Sequence, residues 1–146
     1  LWLMPRFGMD VTLAYPKGYH MMPHVMEKAC EFADHAGTKI TETNDMDEAF
    51  KDADFLYPKS WGPIMVTEDE AEVEAMAAQN VGWRVTKEKM ALAKKHAVYM
   101  HCMPIDRHHE ADDDVIDGPQ SIIYKQAENR LHVQKALLAL VMGGRA

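Results

Sequence analysis

Three times in this chain a short β-rich run breaks on a proline set among aromatic or polar side chains. Tyr15-Pro16-Lys17 closes the run Met9–Tyr15, and Tyr57-Pro58-Lys59-Ser60-Trp61 closes Asp54–Tyr57. His101-Cys102-Met103-Pro104 closes the continuously apolar run Ala97–Met100. Proline cannot continue a central strand, so each break marks a strand end. The segments between these runs carry helical spacing. Met21–Ala36 places Val25, Ala29, Phe32 and Ala33 on one face, and Gly37 stops it.

The other elements follow from local signals. Lys39–Thr43 reads as a short strand, and Asn44 or Asp45 can cap a helix over Met46–Lys51. Thr67–Gln79 is acidic and alanine-rich, an exposed helix or an adaptable insertion. Thr86 caps a helix reaching about Lys95. Asp112-Asp113-Asp114 opens a short helix, Ser121–Tyr124 is a last strand, and a helix runs from about Gln126 to Met142. An apolar run such as Ala97–Met100 suits a strand buried on both faces. The alternation predicts an α/β fold, a Rossmann-like parallel sheet with helices on both faces. In such sheets ligands bind beyond the carboxyl ends of the strands, where the proline clusters fall.

Composition narrows the partners. The 146 residues carry a net charge of −7, with lysines and arginines scattered rather than striped. That disfavours nucleic acid and anionic membranes, which require concentrated positive charge. It leaves open a small anionic ligand held by a few arginines. No apolar stretch approaches the roughly 18–20 residues needed to span a bilayer. Cys30 and Cys102 belong to no CxxC pair, so free thiols in a reducing cytoplasm are the simplest account. The opening residues, Leu-Trp-Leu-Met, resemble the end of a helix, as if the chain were cut inside a larger domain.

His101 and Cys102 are adjacent, so in a strand they point to opposite faces and cannot form a nucleophile pair there. The bland alternative packs Cys102 as a small hydrophobe and bonds His101 locally. Pro104 favours the functional reading: it should hold Met103 extended and can accept a cis bond, exposing carbonyls at the sheet edge. The run Asp106-Arg107-His108-His109-Glu110 has ligand-type residues without metal-binding spacing, so no metal and no cofactor are expected. Gln126, Arg130 and Gln134 form a polar stripe on the last helix, with Leu131, Leu138 and Val141 facing the core. Arg130 is a candidate anion ligand, although a lone arginine is more often solvated surface. Lys59, otherwise an ordinary surface lysine, can wall a pocket for a carboxylate.

Three segments together resemble the aspartate/ornithine carbamoyltransferase family: His101-Cys-Met-Pro104, Val115-Ile-Asp-Gly-Pro-Gln-Ser121, and Gln126-Ala-Glu-Asn-Arg-Leu131 with Gln134-Lys-Ala-Leu. Phe7–Ala14 and Ala53–Gly62 are similar to the knotted, acetylornithine-type branch. The resemblance covers essentially residues 1–146 and implies the amino-acid-binding domain, truncated at its first strand, with the N-terminal carbamoyl-phosphate domain absent. It implies transfer of a carbamoyl group from carbamoyl phosphate to the amine of ornithine or an ornithine derivative. His101 and Arg130 are then the catalytic contacts to the carbamoyl group. Lys59, Ser60, Trp61, Cys102, Met103, Pro104 and Arg107 line the substrate site, with a cis Met103–Pro104 bond. The same resemblance implies a cytoplasmic homotrimer, inactive without its missing domain. Asp106 and Glu110 stand where the acetylornithine type has basic residues, which would favour a cationic substrate end. Two rivals remain: a non-catalytic α/β module that binds a small ligand, and a nucleotide-dependent oxidoreductase, the latter weakened because no GxGxxG occurs.

Overall fold

The computed structural model describes residues 1–59 and 67–143. Ser60 and Trp61 therefore lie outside the described residues. The chain folds as two compact units, Leu1–Lys51 with Trp61–Trp83, and Asp52–Ser60 with Arg84–Ala146.

In the first unit, strand β1 (Val11–Ala14) pairs in parallel with β2 (Ile40–Thr43), connected through helix α1 (Pro23–Ala36). Pro23 occupies the first turn of α1, where its missing N–H has no intrahelical partner to lose. Gly37 ends the helix at φ 68°, a left-handed conformation that glycine adopts without a Cβ penalty. Ala29 and Ala33 are buried as the helical spacing predicts. Phe32 instead takes the Arg6 guanidinium 5.0 Å and the Lys28 ammonium 4.9 Å from its ring centroid. The two strand ends are tied by Asn44, whose Nδ2 donates to the Tyr15 carbonyl at 2.9 Å. Asp45 caps helix α2 (Met46–Phe50), accepting from the N–H groups of Asp47 and Glu48. Helix α3 (Glu70–Gln79), capped by Asp69, buries no residue, in keeping with an exposed acidic helix.

In the second unit, β3 (Phe55–Leu56) pairs in parallel with β4 (Val98–Tyr99). The ladder runs from Val98 N–H donating to Asp54 O to Met100 N–H donating to Leu56 O. Beside it, Lys94 and His96 both reach Asp54, and Lys94 above all holds its carboxyl below the usual range. Helix α4 is a single turn, Lys87–Met90, capped by Thr86; it is shorter than the sequence suggests because the chain turns at Ala91 to bring Lys94 N–H onto Ala53 O. Helix α5 is Asp113–Ile116, and Val115 and Ile116 are buried.

Two expectations are corrected here. Ser121–Tyr124 is not a strand: Ser121 makes one parallel bridge to Tyr99, and helix α6 (Ile123–Met142) already begins at Ile123. The Tyr99 carbonyl accepts from Ile122 N–H, which completes the pairing and leaves the next residues free to wind. Nor do Leu131, Leu138 and Val141 face a core, since all three are more than half exposed. Only Ile123 of α6 is buried. The described strands thus form two short parallel ladders, an α/β architecture with the pairing divided between the units.

Candidate active site

The site is built at the carboxyl end of the β3–β4 ladder. Where the ladder stops, the His101 N–H has lost its strand partner, and His101 is only 1% exposed. The donor is met from α6: Gln126 Oε1 accepts it at 2.9 Å. Gln126 Nε2 in turn donates to Tyr57 Oη, one residue beyond β3, at 3.1 Å. One side-chain amide thereby joins two strand ends to a helix.

The His101 ring is engaged inside the turn. Its Nδ1 accepts from Met103 N–H at 2.9 Å, which puts the ring proton on Nε2. Nε2 lies 3.2 Å from Glu110 Oε2, close in distance but short of hydrogen-bond alignment. The same Glu110 oxygen accepts from Asp106 N–H at 2.8 Å. Glu110 is 3% exposed. The acidic residue expected to select a cationic substrate end therefore faces inward and braces the turn.

The Met103–Pro104 peptide is cis, as the resemblance implies. Met103 is not extended: its φ is 60°, a conformation that costs a non-glycine residue about 1 kcal/mol or more. The bond from its N–H to the imidazole two residues back holds it there. Met103 and Pro104 are exposed and Cys102 is half-buried, so this turn forms the open lip of the site.

The two arginines behave differently. Arg107 donates to Asp113 and forms a fork with Asp117, at 2.8 and 3.1 Å. Asp117 first, then Asp113, push its pKa further above its ordinary value, and Arg107 holds Asp117 low in return. Its guanidinium ties the loop to α5 and remains 43% exposed. Arg130 lies on exposed α6, four residues and one turn beyond Gln126. Its charge is felt at Tyr57. Burial raises that phenol, the Gln126 bond opposes the rise, the Cys102 thiol adds to it, and Arg130 draws it back. Of these groups, Gln126 is bonded directly to Tyr57, while Cys102 and Arg130 act on its phenol electrostatically. Lys59 is exposed two residues beyond Tyr57. Sequence reasoning missed Tyr57, Gln126 and the bracing role of Glu110. The polar stripe Gln126–Arg130 was the signal available for the second of these.

Against this geometry, the family model described as aspartate/ornithine carbamoyltransferase, Asp/Orn binding domain, matches residues 1–141. The chain belongs to the aspartate/ornithine carbamoyltransferase family. It is 43% identical over 136 residues to the ornithine carbamoyltransferase of Methanopyrus kandleri, covering 93% of this chain and 43% of that protein. With the ornithine carbamoyltransferase of Caldicellulosiruptor saccharolyticus it shares 39% over 140 residues, 96% of this chain and 44% of that one. Among solved structures, acetylornithine transcarbamylase complexed with acetylcitrulline superposes with a TM-score of 0.90 at 36% identity, covering 97% of this chain and 42% of that one. Ornithine carbamoyltransferase from Pyrococcus furiosus gives 0.87 at 40% identity, covering 97% and 44%. The chain spans less than half the length of these relatives.

Proposed function

We propose that this chain is the amino-acid-binding domain of a carbamoyltransferase and that the complete protein transfers a carbamoyl group from carbamoyl phosphate to an ornithine-type amine. The observation carrying this reading is the exposed Arg130, set one helical turn from Gln126, which itself bonds to the strand end at His101 and to Tyr57. In the reaction the amine nitrogen bonds to the carbamoyl carbon, the carbon–oxygen bond to phosphate breaks, and the amine proton leaves with the departing phosphate. A guanidinium suits the oxygen on which negative charge develops. The Cys102 and Met103 carbonyls suit the N–H groups of the incoming amine and orient its lone pair.

His101 acts, in this proposal, from behind: buried and bonded to Met103 N–H, it positions the carbonyls rather than contacting the carbamoyl group. Pro104 shapes the same turn, and Arg107 braces its far side. Lys59, with Ser60 and Trp61 beyond the described residues, is assigned to the substrate carboxylate. The exposed apolar side chains of α6, among them Leu137, Leu140 and Val141, suit burial by the carbamoyl-phosphate domain that this chain does not include. Among the described residues, no helix is long and apolar enough to cross a membrane. The free thiols of Cys30 and Cys102 suit a reducing cytoplasm. A homotrimer belongs to the same proposal and is read by mass measurement in solution.

The test is a carbamoyl-phosphate-dependent assay of the full-length protein on a panel containing ornithine, acetylornithine and related amines. Turnover on an ornithine-type amine is expected, and none from residues 1–146 alone. Turnover by this segment alone, or none by the whole protein on any amine, contradicts the reading.

A further inference from the structure

We infer that Gln126 is a positioning residue: its side-chain amide sets the geometry between the carbonyl-bearing turn after β4 and the helix that presents Arg130. The inference deepens the carbamoyltransferase reading and rests on it for its kinetic consequence.

The argument begins with an orphan donor. Met100 N–H is the last to find a strand acceptor, on Leu56. The next N–H, that of His101, sits in a residue sealed from solvent, where an unpaired donor is destabilising. Gln126 Oε1 is its acceptor at 2.9 Å. Because that backbone group can only donate, the amide orientation is determined: oxygen toward His101, nitrogen toward Tyr57. Nε2 then donates to Tyr57 Oη at 3.1 Å, so the phenol accepts and its own O–H is left to point onward. Burial and the Gln126 bond act most on the Tyr57 phenol; more weakly, the Cys102 thiol raises it and the Arg130 charge lowers it.

Residues four apart lie on the same helix face, so fixing Gln126 fixes where the Arg130 side chain starts. From His101 the constraint continues through Nδ1 to Met103 N–H and to the carbonyls of the turn. The two groups assigned to the reaction, a guanidinium and a pair of carbonyls, belong to different elements, and Gln126 bonds directly to the strand end while standing on the helix. Misplacing one by about 1 Å can lower a rate about 100-fold.

The experiment compares Gln126→Met, Gln126→Glu and Tyr57→Phe in the full-length protein. Gln126→Met keeps the length of the side chain and removes both bonds. Its kcat should fall ~10–100-fold, with KM for carbamoyl phosphate within about threefold of wild type. Exchange of the His101 amide hydrogen should speed up about tenfold, as expected for loss of one hydrogen bond. Gln126→Glu keeps an acceptor for His101 N–H and lets Tyr57 donate to the second oxygen; it should restore kcat to within about fivefold. Tyr57→Phe, which leaves the His101 bond intact, should lower kcat about 3–10-fold and supports the inference even if Gln126→Met does not fold. Unchanged kcat in Gln126→Met or Tyr57→Phe, or a Glu variant as impaired as the Met variant, overturns it. If the wild-type protein transfers no carbamoyl group, the proposed function fails. The exchange rate of His101 then decides the positioning claim alone, and unaltered exchange in Gln126→Met rejects it.

Discussion

The turn at 101–110 and helix α6 invert the usual relation between regularity and burial. The turn has no repeating backbone structure, yet His101 and Glu110 are almost fully buried, and each side chain accepts a backbone N–H of the turn, from Met103 and Asp106. Helix α6 has 20 residues of regular backbone, yet it buries only Ile123, and Leu140 is 81% exposed. The irregular segment is held by hydrogen bonds specific to it, each of which removes a conformational choice. The regular one satisfies its own backbone and leaves its side chains for something else to cover. Hydrogen-bonded burial is thus concentrated in the turn, and exposure on the helix.

Substitutions can break or sharpen that contrast. The largest effect is expected at the open cation. Arg130→Ala in the full-length protein should lower kcat ~100–1,000-fold, measured in the carbamoyl-transfer assay, with the melting temperature unchanged because the side chain is exposed. Next comes the one buried side chain of α6. Ile123→Ala should destabilise residues 1–146 by about 2–4 kcal/mol in urea unfolding. Leu140→Ala should change stability by less than about 0.5 kcal/mol in the same segment. In the full-length protein Leu140→Ala should cost clearly more, and equal costs in the two would show that nothing covers that face.

The turn offers a smaller effect. Glu110→Ala should destabilise by about 1–3 kcal/mol, since it removes the buried acceptor of the Asp106 N–H, and Glu110→Gln should recover most of it. Smaller still is Tyr99→Phe. The Tyr99 hydroxyl is buried without a hydrogen-bond partner, so its removal should shift stability by less than about 1 kcal/mol near neutral pH. Burial, then the charge of Glu110, push this phenol above its ordinary value. The folded state therefore favours the neutral phenol. That contribution is complete below about pH 10 and is lost as pH rises past it, where the unfolded chain ionises first. Alkaline unfolding curves of Tyr99→Phe should fall less steeply above pH 10 than those of wild type.

Much of this was legible in the sequence where a local signal decided the outcome. Gly37 after an apolar stripe, Asp45 and Thr86 before short helices, and the proline-broken strand ends all reappear in the structure. What the sequence hid depends on partners far along the chain. Ser121–Tyr124 has strand-like residues, but one bridge to Tyr99 is all the pairing available before α6 starts. Leu131, Leu138 and Val141 have the periodicity of a core face, yet periodicity says only that a face is apolar, not what meets it. Glu110 lies in a run of charges that reads as solvated surface. It is buried all the same, 3.2 Å from the imidazole of His101, nine residues earlier. Gln126 and Tyr57 are 69 positions apart, and no local pattern announces that bond.

The most direct test of the central claim is product formation by the full-length protein with carbamoyl phosphate and ornithine or acetylornithine, run beside its Arg130→Ala variant. The account predicts a carbamoylated ornithine-type product whose rate collapses at least about 100-fold in the variant. A wild-type protein that forms no such product from any amine, or a variant that works as well as wild type, would contradict it.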